Sequence, residues 1–130
     1  MSPLVTRQLA DLERAFPGAT ARDLPDGSVL LRVPDVPIPG GWNRATATLL
    51  FVAPPAYPVA YPDCFWVESP PFRLQGGGGP PDNANDTQPI PQAPGIAATW
   101  FSWHVVTWNV TSSTLLTFAN FILCRFKELR

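Results

Sequence analysis

Leu49-Leu50-Phe51-Val52-Ala53-Pro54-Pro55-Ala56-Tyr57-Pro58-Val59-Ala60-Tyr61-Pro62-Asp63-Cys64-Phe65-Trp66-Val67 is the stretch that decides how this chain folds. Two short apolar runs flank a segment dense in proline. Proline has no backbone N–H and a fixed φ, so it is excluded from central strands and helix interiors. The runs therefore read as strands, one over Thr46–Val52 and a short one over Cys64–Val67, with Pro54–Pro62 breaking the chain between them.

Upstream, Thr20–Leu24 and Val29–Val33 enclose Pro25-Asp26-Gly27-Ser28, an Asp-Gly turn that predicts a hairpin. Ser2-Pro3 is a helix start, a hydroxyl cap followed by proline at the first helical position. Leu9, Leu12 and Phe16 continue at helical spacing, with Leu4 and Val5 a turn earlier, until Pro17-Gly18 stops the helix. Downstream, residues 112–129 read as a second helix. Leu115, Ala119, Ile122, Phe126 and Leu129 form its apolar stripe, Leu116, Phe118 and Leu123 widen it, and Ser112 or Ser113 is the expected cap. Residues 69–98, with Gly76-Gly77-Gly78-Gly79-Pro80-Pro81, have no periodicity and read as a long functional or mobile loop. The expected architecture is one α+β domain over residues 1–130. It has an N-terminal helix, a four-stranded antiparallel meander, a long Pro/Gly loop and a C-terminal helix packed on the sheet.

Composition narrows the function. Nine basic residues against ten acidic ones provide no excess to neutralise phosphates, which argues against nucleic acid and anionic membranes as partners. Seventeen prolines in a chain that is 45% hydrophobic, with five Trp, punctuate a folded domain rather than a disordered tail. Residues 34–124 hold only seven of the nineteen charged residues. No signal peptide and no membrane span are expected. Cys64 and Cys124 are too few for a disulfide scaffold and have no metal-ligand spacing. The expectation is a reducing, cytoplasmic setting, with no metal or other cofactor. The quadruple glycine lacks the Lys-Ser/Thr of a phosphate-binding loop.

The Tyr57-Pro58 turn between two apolar strands resembles the corresponding turn of ubiquitin-conjugating (E2) enzymes. Trp108-Asn109-Val110 ahead of the Leu115–Phe126 helix resembles their tryptophan segment before the crossover helix. Gly40-Gly41-Trp42-Asn43, Phe65-Trp66-Val67 and Phe101-Ser102-Trp103-His104 are similar to prokaryotic E2 family E. The resemblance implies a UBC (E2)-like fold and a place in bacterial ubiquitin-like conjugation operons, which also encode an E1-like protein and a JAB-type peptidase. It implies a ubiquitin-like protein and an E1-like activating protein as partners. It also implies a partner-facing first helix and Tyr-Pro turn, here Arg7, Arg14 and Tyr57.

One feature of such enzymes is missing. Their thioester-forming cysteine lies in the long loop, with a His-Pro-Asn upstream, and residues 68–111 contain neither. The candidates for chemistry are therefore others. His104, the only histidine, is a candidate general base or nucleophile. Ser102, two residues earlier, could share its face and form an oxyester. No acid stands near them in sequence, and Asp82 or Asp86 would serve only if the loop folds back. Cys64 and, more firmly, Cys124 read as core residues. Asn83 and Asn85 read as turn residues, and Asn43 and Asn109 as caps of backbone groups. Trp42, Tyr57, Trp100 and Trp103 are the aromatics expected to be partly exposed, with Trp103 and Tyr57 as candidate partner contacts. Two functions remain open: a divergent conjugating factor that receives or positions a modifier, with His104 as its leading residue, and a non-catalytic E2-like binding module.

Overall fold

Ser2 and Pro3 start a helix as their chemistry dictates. In the computed structural model, which describes residues 1–130, α1 spans Pro3–Ala15, and the Ser2 hydroxyl accepts from the Val5 N–H at 3.2 Å. Val5, Gln8 and Leu12 are its buried residues, while Leu4, Leu9 and Phe16 are half-buried. The strands are β1 (Thr20–Asp23), β2 (Val29–Pro37), β3 (Thr46–Ala53), β4 (Phe65–Glu68), β5 (Ala84–Asn85) and β6 (Ala98–Phe101), followed by α2 (Leu115–Phe126). The expected Asp-Gly hairpin joins β1 to β2, with Gly27 at φ 89° and Asp26 accepting from the Ser28 N–H at 2.9 Å.

The class is the expected α+β arrangement of two helices and one antiparallel sheet. The sheet has six strands in the order β1-β2-β3-β4-β6-β5, where four were expected. The two extra strands come from the stretch read as loop and from the aromatic run after it. β6 pairs with β4, Phe65 opposite Phe101 and Trp66 opposite Trp100, and the two-residue β5 closes the edge. β2 runs to Pro37, past its expected end. It accommodates Pro34 through a register shift between Val33 and Val36, with Asp35 left-handed at φ 54°.

Strand alternation divides the core in two. Leu31, Val33, Leu49, Phe51, Phe65 and Val67 face the helices, against Val5, Leu12, Phe118 and Ile122. Leu30, Leu50 and Trp66 face the other way, onto Leu24, Ile90 and Ala93. Within the 69–98 segment, residues 88–96 are thus a cover for the second sheet face. Ile90 is fully buried, and the Trp66 indole donates to the Gln88 carbonyl at 2.8 Å. Cover of this kind makes no ladder hydrogen bonds, so proline suits it.

Other expectations need correction. α2 is shorter than 112–129, and its cap is Thr114, in a reciprocal box with Thr117, because Ser113 is engaged by the Asn109 N–H. Leu129 lies past the helix and is exposed. Cys124 is exposed, not core, because it projects from the outer side of α2. Trp42 is buried rather than partly exposed: it stacks on Phe72 at 4.7 Å and donates to the Phe126 carbonyl at 2.8 Å.

Candidate functional site

One end of the β4–β6 pair, where Phe65 lies opposite Phe101, builds the site. Asp63 and Cys64 immediately precede β4, and Ser102, Trp103 and His104 immediately follow β6. The Cys64 N–H donates to the Trp103 carbonyl at 3.2 Å, and the Ser102 N–H to the Asn83 carbonyl at 2.8 Å. The first bond ties the two short segments to each other, and the second ties them to the turn ahead of β5.

Cys64 is left-handed, at φ 62°. That conformation costs an ordinary residue roughly 1–2 kcal/mol. In a regular strand, consecutive side chains point to opposite faces. The left-handed turn breaks that alternation, and both Asp63 and Cys64 reach the same imidazole. Asp63 Oδ1 lies 2.6 Å from His104 Nδ1, and Cys64 Sγ lies 3.9 Å from it. On the far side of the ring, Ser102 Oγ is 3.0 Å from Nε2.

The expected proximity of Ser102 and His104 is present. The acid that sequence reasoning did not find is Asp63, which is 41 residues from His104 in the chain. Asp82 and Asp86 are committed elsewhere: Asp86 pairs with Arg73 and accepts from the Thr99 hydroxyl at 2.6 Å, and Asp82 lies 3.7 Å from Arg130. The Arg73 contact, with help from Thr99, holds the Asp86 carboxyl below its ordinary pKa. The clue to Asp63 is the β4–β6 register, which no local pattern in the sequence reveals.

The chemistry of the line follows from its hydrogen bonds. Asp63 accepts from Nδ1–H, which leaves the lone pair on Nε2 to accept from the Ser102 hydroxyl. An acid on one imidazole nitrogen and a hydroxyl on the other is the arrangement that activates a serine. Cys64 is unsuited to the same task. Burial first, and then the Asp63 carboxylate, push its thiol pKa up, and its side of the contact is 6% exposed. A nucleophilic cysteine needs the opposite setting.

The line is open to solvent, with the His104 and Asp63 side chains 63% and 68% exposed. None of the pockets on the surface is lined by Asp63, Ser102 or His104. A small-molecule enzyme would be expected to place such groups in a cleft.

The remaining expected residues lie elsewhere. Arg7 and Arg14 are exposed on α1, where Arg14 pairs with Asp11. Tyr57 is half-buried: its hydroxyl donates to Gln8 Oε1, and its ring meets Trp108 edge-on at 6.0 Å. Trp103 stacks on Phe121 of α2 at 5.2 Å and donates to the Phe121 carbonyl at 3.0 Å. Trp108 stacks on Tyr61 at 5.4 Å and donates to the Pro58 carbonyl at 3.1 Å, which ties the tryptophan segment to the Tyr-Pro turn. Asn43 and Asn109 bind backbone groups as expected, and Asn85 accepts from the Thr87 N–H within its turn. Sequence reading missed Gln8. Its buried amide oxygen accepts from Tyr57 and from the Leu115 N–H at 3.0 Å, joining α1, the turn and the start of α2.

No helix is long and apolar enough to cross a membrane. A family model described as Prokaryotic E2 family E matches residues 13–128. No curated protein and no solved structure matches the chain.

Proposed function

Because this chain belongs to prokaryotic E2 family E, we propose that it receives a ubiquitin-like modifier from an E1-like partner in a bacterial conjugation pathway. The acceptor is Ser102, with His104 as general base and Asp63 as the group that positions it. One observation carries this reading: the hydrogen-bonded line from Asp63 through His104 to Ser102, in an E2-like chain with no cysteine between residues 68 and 111. The two free cysteines, one of them exposed, suit a reducing cytoplasm.

The step is an acyl exchange. Ser102 Oγ attacks the carbonyl carbon of the modifier's C-terminal thioester on the E1-like partner. The hydroxyl proton passes to His104 Nε2, and Asp63 stabilises the resulting imidazolium through Nδ1–H. The C–S bond breaks, the imidazolium returns the proton to the departing thiolate, and an oxyester remains on Ser102. A target amine then displaces Ser102 by the same route in reverse.

The second reading is a non-catalytic E2-like module that holds the modifier or the E1-like partner, through surfaces that include Arg7, Arg14, Tyr57 and Trp103. It is favoured by the exposure of His104 and Asp63, since water weakens electrostatic help to a developing charge. Mixing the protein with its operon's modifier, E1-like partner and ATP, and reading intact mass and complex formation together, separates the two. A covalent adduct that disappears in Ser102→Ala supports the conjugating factor. A stable complex without an adduct supports the module, and the absence of both adduct and complex removes the pathway assignment.

A further inference from the structure

We propose that Asp63, Cys64 and His104 form a zinc-class divalent cation site, and that the ion, when bound, silences the serine. The donors are Asp63 Oδ, Cys64 Sγ and His104 Nδ1, all within 4.8 Å of one another. Two of the separations are 2.6 and 3.9 Å. A tetrahedral zinc, with bonds of about 2.0 to 2.3 Å, spaces its donors about 3.3 to 3.7 Å apart. Side-chain movements of about 1 Å would bring these three to that geometry.

The donor set selects the metal. One thiolate, one imidazole and one carboxylate suit zinc and its close analogue cobalt(II), whereas magnesium and calcium take oxygen. Three protein donors leave a fourth position for water, and the exposure of Asp63 and His104 leaves it open. Backbone conformation supports the site as well. Two adjacent residues can chelate one ion here because left-handed Cys64 turns both side chains to the same imidazole. Ser102 Oγ on Nε2 would be the outer partner that orients the ring.

Ion binding and acyl transfer use the same nitrogen. Bound metal takes the Nδ1 lone pair, so the imidazole proton moves to Nε2 and the Cys64 thiol releases its proton to solvent. Nε2–H then donates to Ser102 and can no longer accept its proton, and Asp63 is drawn from the imidazole to the ion. The binding claim stands on geometry alone. The silencing claim rests on the function proposed above.

The test uses the full chain with Cys124→Ala, which removes the exposed thiol that could bind metal adventitiously. Cobalt(II) titration followed by absorbance is expected to give a 1:1 complex with a thiolate-to-cobalt charge-transfer band, displaced by zinc. Cys64→Ser should abolish the band. Asp63→Asn, at an exposed position and so independent of any folding defect at Cys64, should weaken affinity at least about tenfold. Ser102→Ala should keep the band. No band in the Cys124→Ala chain, or a band that persists in Cys64→Ser, overturns the site. Zinc should also suppress adduct formation in the E1-dependent assay. Tight zinc binding with undiminished adduct formation overturns the silencing. A chain that binds zinc but forms no adduct in its metal-free state refutes the acyl-transfer reading and leaves the metal site standing.

Discussion

Of the two cysteines that read as core, only Cys64 is buried. Cys64 is the buried thiol, its pKa raised by burial and by Asp63, and Cys124 is the exposed one. A thiol-reactive probe on the native, metal-free protein should therefore label Cys124 quickly and Cys64 only on unfolding, read by peptide mass. Equal rates would contradict the burial of Cys64. Tyr57 gives a second residue-scale outcome. Burial pushes its phenol from 10.0 up to about 12. A folded-state pKa raised in this way gives stability that is complete below pH 10 and is lost as pH climbs toward 12. Ultraviolet titration should show one phenol ionising only near 12, and Tyr57→Phe should remove both that late phase and the alkaline loss of stability. Ionisation of Tyr57 near 10 would contradict it.

At the scale of elements, the segment between β4 and β6 is what changes the picture of the fold. Ile90 sits fully buried against Leu30, Leu50 and Trp66. Ile90→Ala should cost about 2–5 kcal/mol in a denaturant midpoint, the range for cavity-forming core substitutions. A cost under about 1 kcal/mol, typical of surface changes, would mean that the segment is not cover. The helices, the Asp-Gly hairpin and β3 were legible because each carries its own local signal: a cap, a turn residue or an apolar run. The cover was not legible, since Ile90 is one apolar residue among prolines and its partners lie far away in sequence. The site divided the same way. Ser102 and His104 are two residues apart, so their meeting could be read locally. Asp63 reaches them only through the β4–β6 register and the left-handed turn at Cys64. Neither signal is present in residue type alone.

For the whole molecule, Arg125 is the residue that locks the end of the chain. It is 1% exposed and donates to the carbonyls of Glu128, Asp82 and Arg130, with its guanidinium over Trp42 and Phe101 at 5.8 and 5.2 Å. Burial is the main cause of its lowered pKa. Two carbonyls from the C-terminal turn and one from the loop ahead of β5 converge on one cation between aromatic faces. Arg125→Ala strands those acceptors and opens a void, and should cost about 3–5 kcal/mol by chemical denaturation. A loss below about 1 kcal/mol would place the lock elsewhere. This packing presents the Asp63–His104–Ser102 line at one end of the β4–β6 pair, open to solvent. The measurement that tests that line most directly is peptide mass mapping of the modifier adduct, formed with the E1-like partner and ATP in wild type, Ser102→Ala, His104→Gln and Asp63→Asn. The expected result is a hydroxylamine-labile ester on Ser102, absent in Ser102→Ala and formed about 10²- to 10⁴-fold more slowly in His104→Gln, with Asp63→Asn also slowed. An adduct on any other residue, or one on Ser102 whose rate is unchanged in His104→Gln, would contradict it.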